Sequence, residues 1–424
     1  MEKEATARMD KGLSLRRNVV YNSVGSLTYL ACQWLINVLV VRLGSYADGG
    51  MLSLAVTVTN VFYVLATFSL RVYQASDVTG RFSASRYIST RVMTALAGMG
   101  TCMLFAAANV QYSLAQKACI VLYMLFKLTE ALVDSFAAEQ QKAMRMDYIF
   151  RSFLMRSVTS LGSFVLGMTL WHSLPLALLL MAVTTMPVVI LYDGRIVRRM
   201  TGFRLRLMPS EALPLLRAAW PMMVNSAMMT LLASIPRYML EYSHGQEIMG
   251  IYAAIATPAV IVQAGCSFVY SPLVAPLSEK YARGDKAGFR RTTARALAAV
   301  LILFLAVMAG AALLGRWGLN LLFGESILPY AWLLIPALLT SLCSALLYFF
   351  EVPLTIMGRL KHMTAVHACA VALSLALSAV MIPRLGMNGV NLVICLTAGG
   401  DALAMLLMAA WFSRAGKSGS GSEG

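Results

Sequence analysis

The chain has 424 residues, of which 59% are apolar and 13% charged, against roughly 45–50% and about 25% in ordinary soluble domains. That balance excludes water as the main solvent. The net charge of +16 follows the connections between apolar runs, so it reads as orientation in a membrane and attraction to anionic lipid headgroups, with no nucleic acid as partner.

Apolar runs of about 17 to 25 residues span a bilayer as helices, because a helical backbone satisfies its own polar groups. Twelve such runs occur. The first six are 18–41, 51–70, 92–108, 118–133, 153–171 and 174–192; the second six are 220–240, 248–270, 296–314, 327–350, 363–382 and 390–412. The expected fold is an all-α integral membrane protein of about twelve transmembrane helices in two six-helix bundles. The first run is full-length, follows a charged stretch and lacks a small-residue cleavage site, so it is expected to remain as helix one.

Lys and Arg resist translocation and mark cytoplasmic connections. If the N-terminus is cytoplasmic, the even-numbered connections and both ends carry 29 of the 35 Lys and Arg residues. The outer connections keep Arg42, Lys117, Arg316 and Arg384, and Lys127 and Arg237 fall inside helices. Both ends are therefore expected on the cytoplasmic side.

The organisation read from the chain is 1–192 as an N-terminal six-helix bundle, 193–212 as a basic linker, 213–412 as a C-terminal six-helix bundle and 413–424 as a Gly/Ser-rich tail. A weak repeat supports it: Asn22 and Ser23 reappear as Asn225 and Ser226, and Gly50 as Gly250. Six helices per half give the halves one orientation, hence a parallel pseudo-two-fold repeat.

Ionisable groups inside membrane helices cost roughly 2.5–3.5 kcal/mol each on insertion scales, so they mark cavities or partners. Lys127, Glu130 and Asp134 share one face of helix four by their spacings of three and four. Arg237 and Glu241 lie a turn apart in helix seven, Glu351 in helix ten and Asp401 in helix twelve. One reading makes these local ion pairs and packing contacts. The other joins Arg237 and Lys127 with Arg42, Arg71 and Arg81 into a positive lumen for an anionic substrate, with Glu130, Asp134, Glu241, Glu351 and Asp401 as candidates for binding a coupling proton or sodium ion. The four histidines share no ligand spacing and the seven cysteines no pairing pattern, so neither a metal site nor disulfides are expected. No Walker loop or nucleophile elbow appears.

Several stretches carry a family resemblance: NVVYN at 18–22, VRLGSYADG at 41–49, LRVYQASD at 70–77 and QQKAMRMDY at 140–148. PRY at 236–238, MGIY at 249–252, the run 277–285 and GMNGV at 386–390 add to it. In order and position they resemble the polysaccharide (lipid-linked oligosaccharide) flippases of the multidrug/oligosaccharidyl-lipid/polysaccharide exporter superfamily. The resemblance covers nearly the whole chain.

It implies a bacterial inner-membrane transporter with two bundles around a central cavity, which moves a polyprenyl-(pyro)phosphate-linked saccharide to the outer leaflet by alternating access. It further implies basic cavity residues that hold the anionic head, for which Arg237 and Lys127 are the matching positions, and polysaccharide polymerases or glycosyltransferases as partners. A cation-coupled drug antiporter of the same superfamily is the nearest alternative, and it would prefer an acidic cavity. A membrane glycosyl- or acyltransferase would need a larger outer domain or a placed catalytic residue than these short loops supply, and a non-transporting scaffold would pair all its buried charges.

Overall fold

The computed structural model describes residues 12–77, 81–259, 266 and 273–414. Among the described residues there is no strand, and the chain is a succession of helices. It forms two compact units, Met1–Thr230 and Leu231–Gly424.

The first unit contains α1 (Leu15–Leu43), α2 (Tyr46–Thr67), α3 (Leu70–Ser76), α4 (Ala84–Ala108), α5 (Leu114–Lys142), α6 (Met146–Trp171) and α7 (Leu174–Pro187). A π-helical turn, Val188–Gly194, and α8 (Arg195–Thr201) continue α7, and the unit ends within α9 (Pro209–Ala256). Here α1 packs along α6, α6 along α7, and α5 against α2, α4 and α7.

Local chemistry explains the starts and the close approaches. Ser113 opens α5 with a reciprocal cap: its Oγ accepts the Gln116 N–H at 3.2 Å, and its own N–H donates to Gln116 Oε1 at 2.8 Å. Gly98 lets α4 lie against α2, since a Cβ there would stand 2.9 Å from Ala66 Cβ.

Among the described residues, ten helices are long and apolar enough to cross a membrane, matching ten of the twelve predicted runs. The predicted fourth run is α5, which spans 29 residues but carries Lys127, Glu130 and Asp134. Of the predicted eighth, 248–270, positions 260–265 and 267–270 lie outside the described residues, as does the tail from 415 onward. Among the described residues the most apolar span is α11 (Lys286–Phe323), with a mean hydropathy of 2.8 and only 11% of that window buried. Exposed apolar side chains of this kind, such as Leu313 at 83% exposure, require lipid rather than water around them.

The expected linker is bonded onto the first unit. Arg204 N donates to Ser85 Oγ at 3.0 Å and Arg206 N to Ser89 Oγ at 2.9 Å, while Val197 packs with Ile88, Val133, Phe136 and Val189. The boundary between the compact units falls inside α9, between Thr230 and Leu231.

The second unit continues α9, which breaks its helical geometry at Gly245 with φ 81° and ψ 179°. That left-handed value favours glycine, and it separates the runs predicted as helices seven and eight. Then come α10 (Val274–Ala282), α11, a 3-10 segment (Glu325–Leu333), α12 (Leu334–Ile356), α13 (Leu360–Leu385) and α14 (Met387–Arg414). Here α14 packs along both α12 and α13.

Candidate functional site

The charged face of α5 organises the first unit. Lys127 Nζ lies 2.6 Å from Glu130 Oε2 and above the rings of Tyr63 at 5.1 Å and Tyr123 at 5.7 Å. The other Glu130 oxygen accepts a hydrogen bond from the Tyr29 hydroxyl of α1. Arg156 of α6 stacks over Tyr29 at 4.7 Å and Phe153 at 5.2 Å, within electrostatic reach of Glu130.

One turn on, Asp134 is held by two arginines from different helices. Arg71 Nη1 of α3 meets Oδ1 at 2.8 Å, and Arg91 Nη2 of α4 meets Oδ2 at 2.9 Å. Tyr63 stands within electrostatic reach of Glu130, Asp134, Lys127 and Arg91, so the two groups of charges form one network. Four cations, Arg71, Arg91, Lys127 and Arg156, face two carboxylates, Glu130 and Asp134. The surplus stays positive even when Asp193, which bonds Ser152 at 2.7 Å and reaches Arg156 electrostatically, is counted as a third anion.

A break between α2 and α3 makes this geometry. Phe68 and Ser69 both adopt left-handed backbone angles, φ 47° and 50°, a conformation costing of order 1 kcal/mol or more for residues with a Cβ. The break frees the carbonyls that end α2, and buried side chains of α4 take them: Arg91 Nη1 donates to Thr67 O, and Thr94 Oγ1 to Ala66 O at 2.8 Å. It also starts α3 where Arg71 reaches Asp134.

The other sequence candidates lie elsewhere. Arg42 stands in the last turn of α1, 13 residues and so about 20 Å along the helix from Tyr29. There its charge complements the helix C-terminus. Arg81 is exposed in the turn before α4, where its backbone N–H donates to Asp77 Oδ1 at 2.9 Å and its guanidinium lies 5.4 Å from the Phe82 ring centroid. In the second unit Arg237 is exposed and within electrostatic reach of Tyr252, whose hydroxyl donates to Asn391 Oδ1 at 3.0 Å. Glu241 is buried and has an interaction partner. Glu351 and Asp401 converge on His367: its Nε2 is 3.7 Å from Glu351 Oε1 and its Nδ1 2.7 Å from Asp401 Oδ2.

Arg91, Arg156 and His367 were not singled out by the sequence reading. The charge count assigns Arg91 and Arg156 to the cytoplasmic connections, although position 156 already falls within the run 153–171; the structure places both inside helices, 0% and 3% exposed. The helices begin before the hydropathy rise: α4 starts at Ala84 and α6 at Met146, whereas the apolar runs start at 92 and 153. The signal available was the run of hydroxyl residues, Ser89, Thr90 and Thr94 beside Arg91 and Ser152, Ser157 and Ser160 beside Arg156, all buried.

Residues 15–281 match the family described as polysaccharide biosynthesis protein. The chain belongs to this family. Consistent with membership, it is similar to the capsular polysaccharide biosynthesis protein CapF of Staphylococcus aureus, 23% identical over 313 residues, covering 73% of this chain and 77% of that relative. Among solved structures, this family member is similar to the lipid II flippase MurJ in an inward closed conformation, with a TM-score of 0.71 at 12% identity over 92% of this chain and 87% of that one. It is also similar to an inward-facing multidrug resistance MATE family transporter of the MOP superfamily, with a TM-score of 0.67 at 12% identity over 95% and 100%. At such identities the likeness establishes the fold: this polysaccharide biosynthesis protein is a multi-pass membrane protein with the helical architecture of MOP transporters.

Proposed function

We propose that this chain is a flippase that carries a lipid-linked anionic saccharide from the cytoplasmic to the outer leaflet of a bacterial inner membrane by alternating access. The observation that carries the reading is the surplus of positive charge on the α5 network, where Asp134 answers two arginines and Glu130 answers Lys127 and Arg156. A phosphate- or carboxylate-bearing head is the chemistry that complements it. Family membership supplies the biosynthetic context, and the fold is one used by transporters.

In this reading Arg71 and Lys127 are the groups of the network that meet the head, because their side chains are 40% and 16% exposed whereas that of Arg91 is wholly enclosed. Arg237, exposed in the second unit, is assigned the same role. With the N-terminus cytoplasmic, an anionic head leaving a negatively charged cytoplasm gains roughly 2.3 kcal/mol per charge for each 100 mV crossed, which favours export.

The test compares wild type with Lys127→Ala and Lys127→Arg, at matched abundance, in a cell whose surface polysaccharide depends on this chain. Export should fall and the lipid-linked intermediate should accumulate in the cytoplasmic leaflet for Lys127→Ala, with partial recovery for Lys127→Arg. Normal export in both overturns the assignment of Lys127.

A further inference from the structure

Three polar groups meet in the apolar interior of the second unit. His367 of α13 is 0% exposed, as is the Asp401 side chain of α14, and the Glu351 side chain of α12 is 21% exposed. His367 Nδ1 and Asp401 Oδ2 are hydrogen-bonded at 2.7 Å. The opposite ring nitrogen faces a second carboxylate, Glu351 Oε1, at 3.7 Å and makes no hydrogen bond, and Asp401 Oδ1 makes none either.

A neutral imidazole carries a proton on one nitrogen and a lone pair on the other. With Nδ1–H given to Asp401, that lone pair would point at the Glu351 carboxylate, and three neighbouring groups would hold two negative charges in a low-dielectric interior. An imidazolium donates to both sides and halves the buried charge. Among the described residues of the helices packed on α13, Glu351 and Asp401 are the charged groups that act on His367. On α13 itself Lys361 and His362 lie six and five residues back and are exposed, with the His362 ring 5.4 Å from Phe412. Arg290 of α11 opens on a groove beside Phe350 and Pro353, the neighbours of Glu351 on α12.

We propose that His367, Asp401 and Glu351 form a buried site in the second unit that binds and releases one proton on the imidazole. A proton rather than sodium is the ligand because an imidazole nitrogen occupies the centre of the site, and sodium is a hard cation that takes oxygen donors. Release turns the Nε2–H into a lone pair opposite Glu351 and drives the two apart. Pro353, two residues after Glu351, removes a backbone hydrogen bond from α12 at that level, so α12 has a place to bend. Gly399 lets α14 approach α12 until a Cβ would meet Cys343 Sγ at 3.3 Å, so uptake and release act on closely packed helices. Use of this proton in transport rests on the flippase reading; its binding does not.

The experiment is 15N-histidine NMR of the full chain in lipid nanodiscs from about pH 5 to about pH 9. Among four histidines, the signal of His367 is the one lost in His367→Gln. His367 should be doubly protonated at about pH 7, and Asp401→Asn or Glu351→Gln should lower its midpoint by at least about one pH unit, a tenfold loss of proton affinity. Replacing potassium by sodium should leave the midpoint in place. A neutral His367 at about pH 7, a midpoint that neither variant moves, or displacement of the proton by sodium overturns the proposal, and none of these outcomes depends on export.

Discussion

Arg91, enclosed in α4 at 0% exposure, places Nη2 2.9 Å from Asp134 Oδ2 on α5. It also donates to the carbonyl of Thr67 at the end of α2, so one guanidinium ties three helices together. Without Arg91, Asp134 keeps only Arg71, and the Thr67 carbonyl loses its partner, which alone costs roughly 1–3 kcal/mol for a buried polar group. Arg91→Ala should therefore lower the thermal midpoint in detergent far more than Arg71→Ala, which removes a half-exposed partner and costs about 1 kcal/mol or less. Equal losses would mean that Arg91 is not the structural member of the pair.

Tyr29 and Glu130 pose the complementary question. Tyr29→Phe deletes the donor to a carboxylate that keeps Lys127 at 2.6 Å. The expected cost is about 1–2 kcal/mol, read as a lowered unfolding midpoint, with export retained because the cation surplus is unchanged.

Arg237 is exposed, so Arg237→Ala should alter stability by no more than about 0.5 kcal/mol. Export should nonetheless stop, with the lipid-linked intermediate held in the cytoplasmic leaflet, and Arg237→Lys should keep part of the activity. Full export in both variants removes Arg237 from the substrate site.

Two glycines on α6 separate packing from propensity. A Cβ at Gly167 would lie 2.7 Å from Ala177 Cβ on α7, whereas one at Gly162 meets nothing within 4 Å. Gly167→Ala should cost about 1–3 kcal/mol by overpacking, and Gly162→Ala should be neutral or stabilising by up to about 1 kcal/mol. Thermal unfolding of the two variants, side by side, reads the difference.

Much of the architecture was legible because hydropathy is a local property. A run such as 296–314 is apolar all round and has no stable state but a membrane helix, and α11 covers it. The face of α5 was legible for the same reason, since spacings of three and four put Lys127, Glu130 and Asp134 together whatever surrounds them. His367 was not. An isolated histidine on an apolar helix carries no signal until α12 and α14 bring Glu351 and Asp401 to it from 16 and 34 positions away.

The sequence by itself determined that the chain lives in lipid, that it is helical, and which residues carry charge into the membrane, because transfer free energies and helical periodicity depend only on neighbours along the chain. The tertiary structure decided which charges neutralise one another. Arg91 turned from an apparent connection residue into a buried clasp, and Asp134 became the shared counter-charge of two arginines. Ion pairing falls off over a few ångströms, and only packing sets those distances.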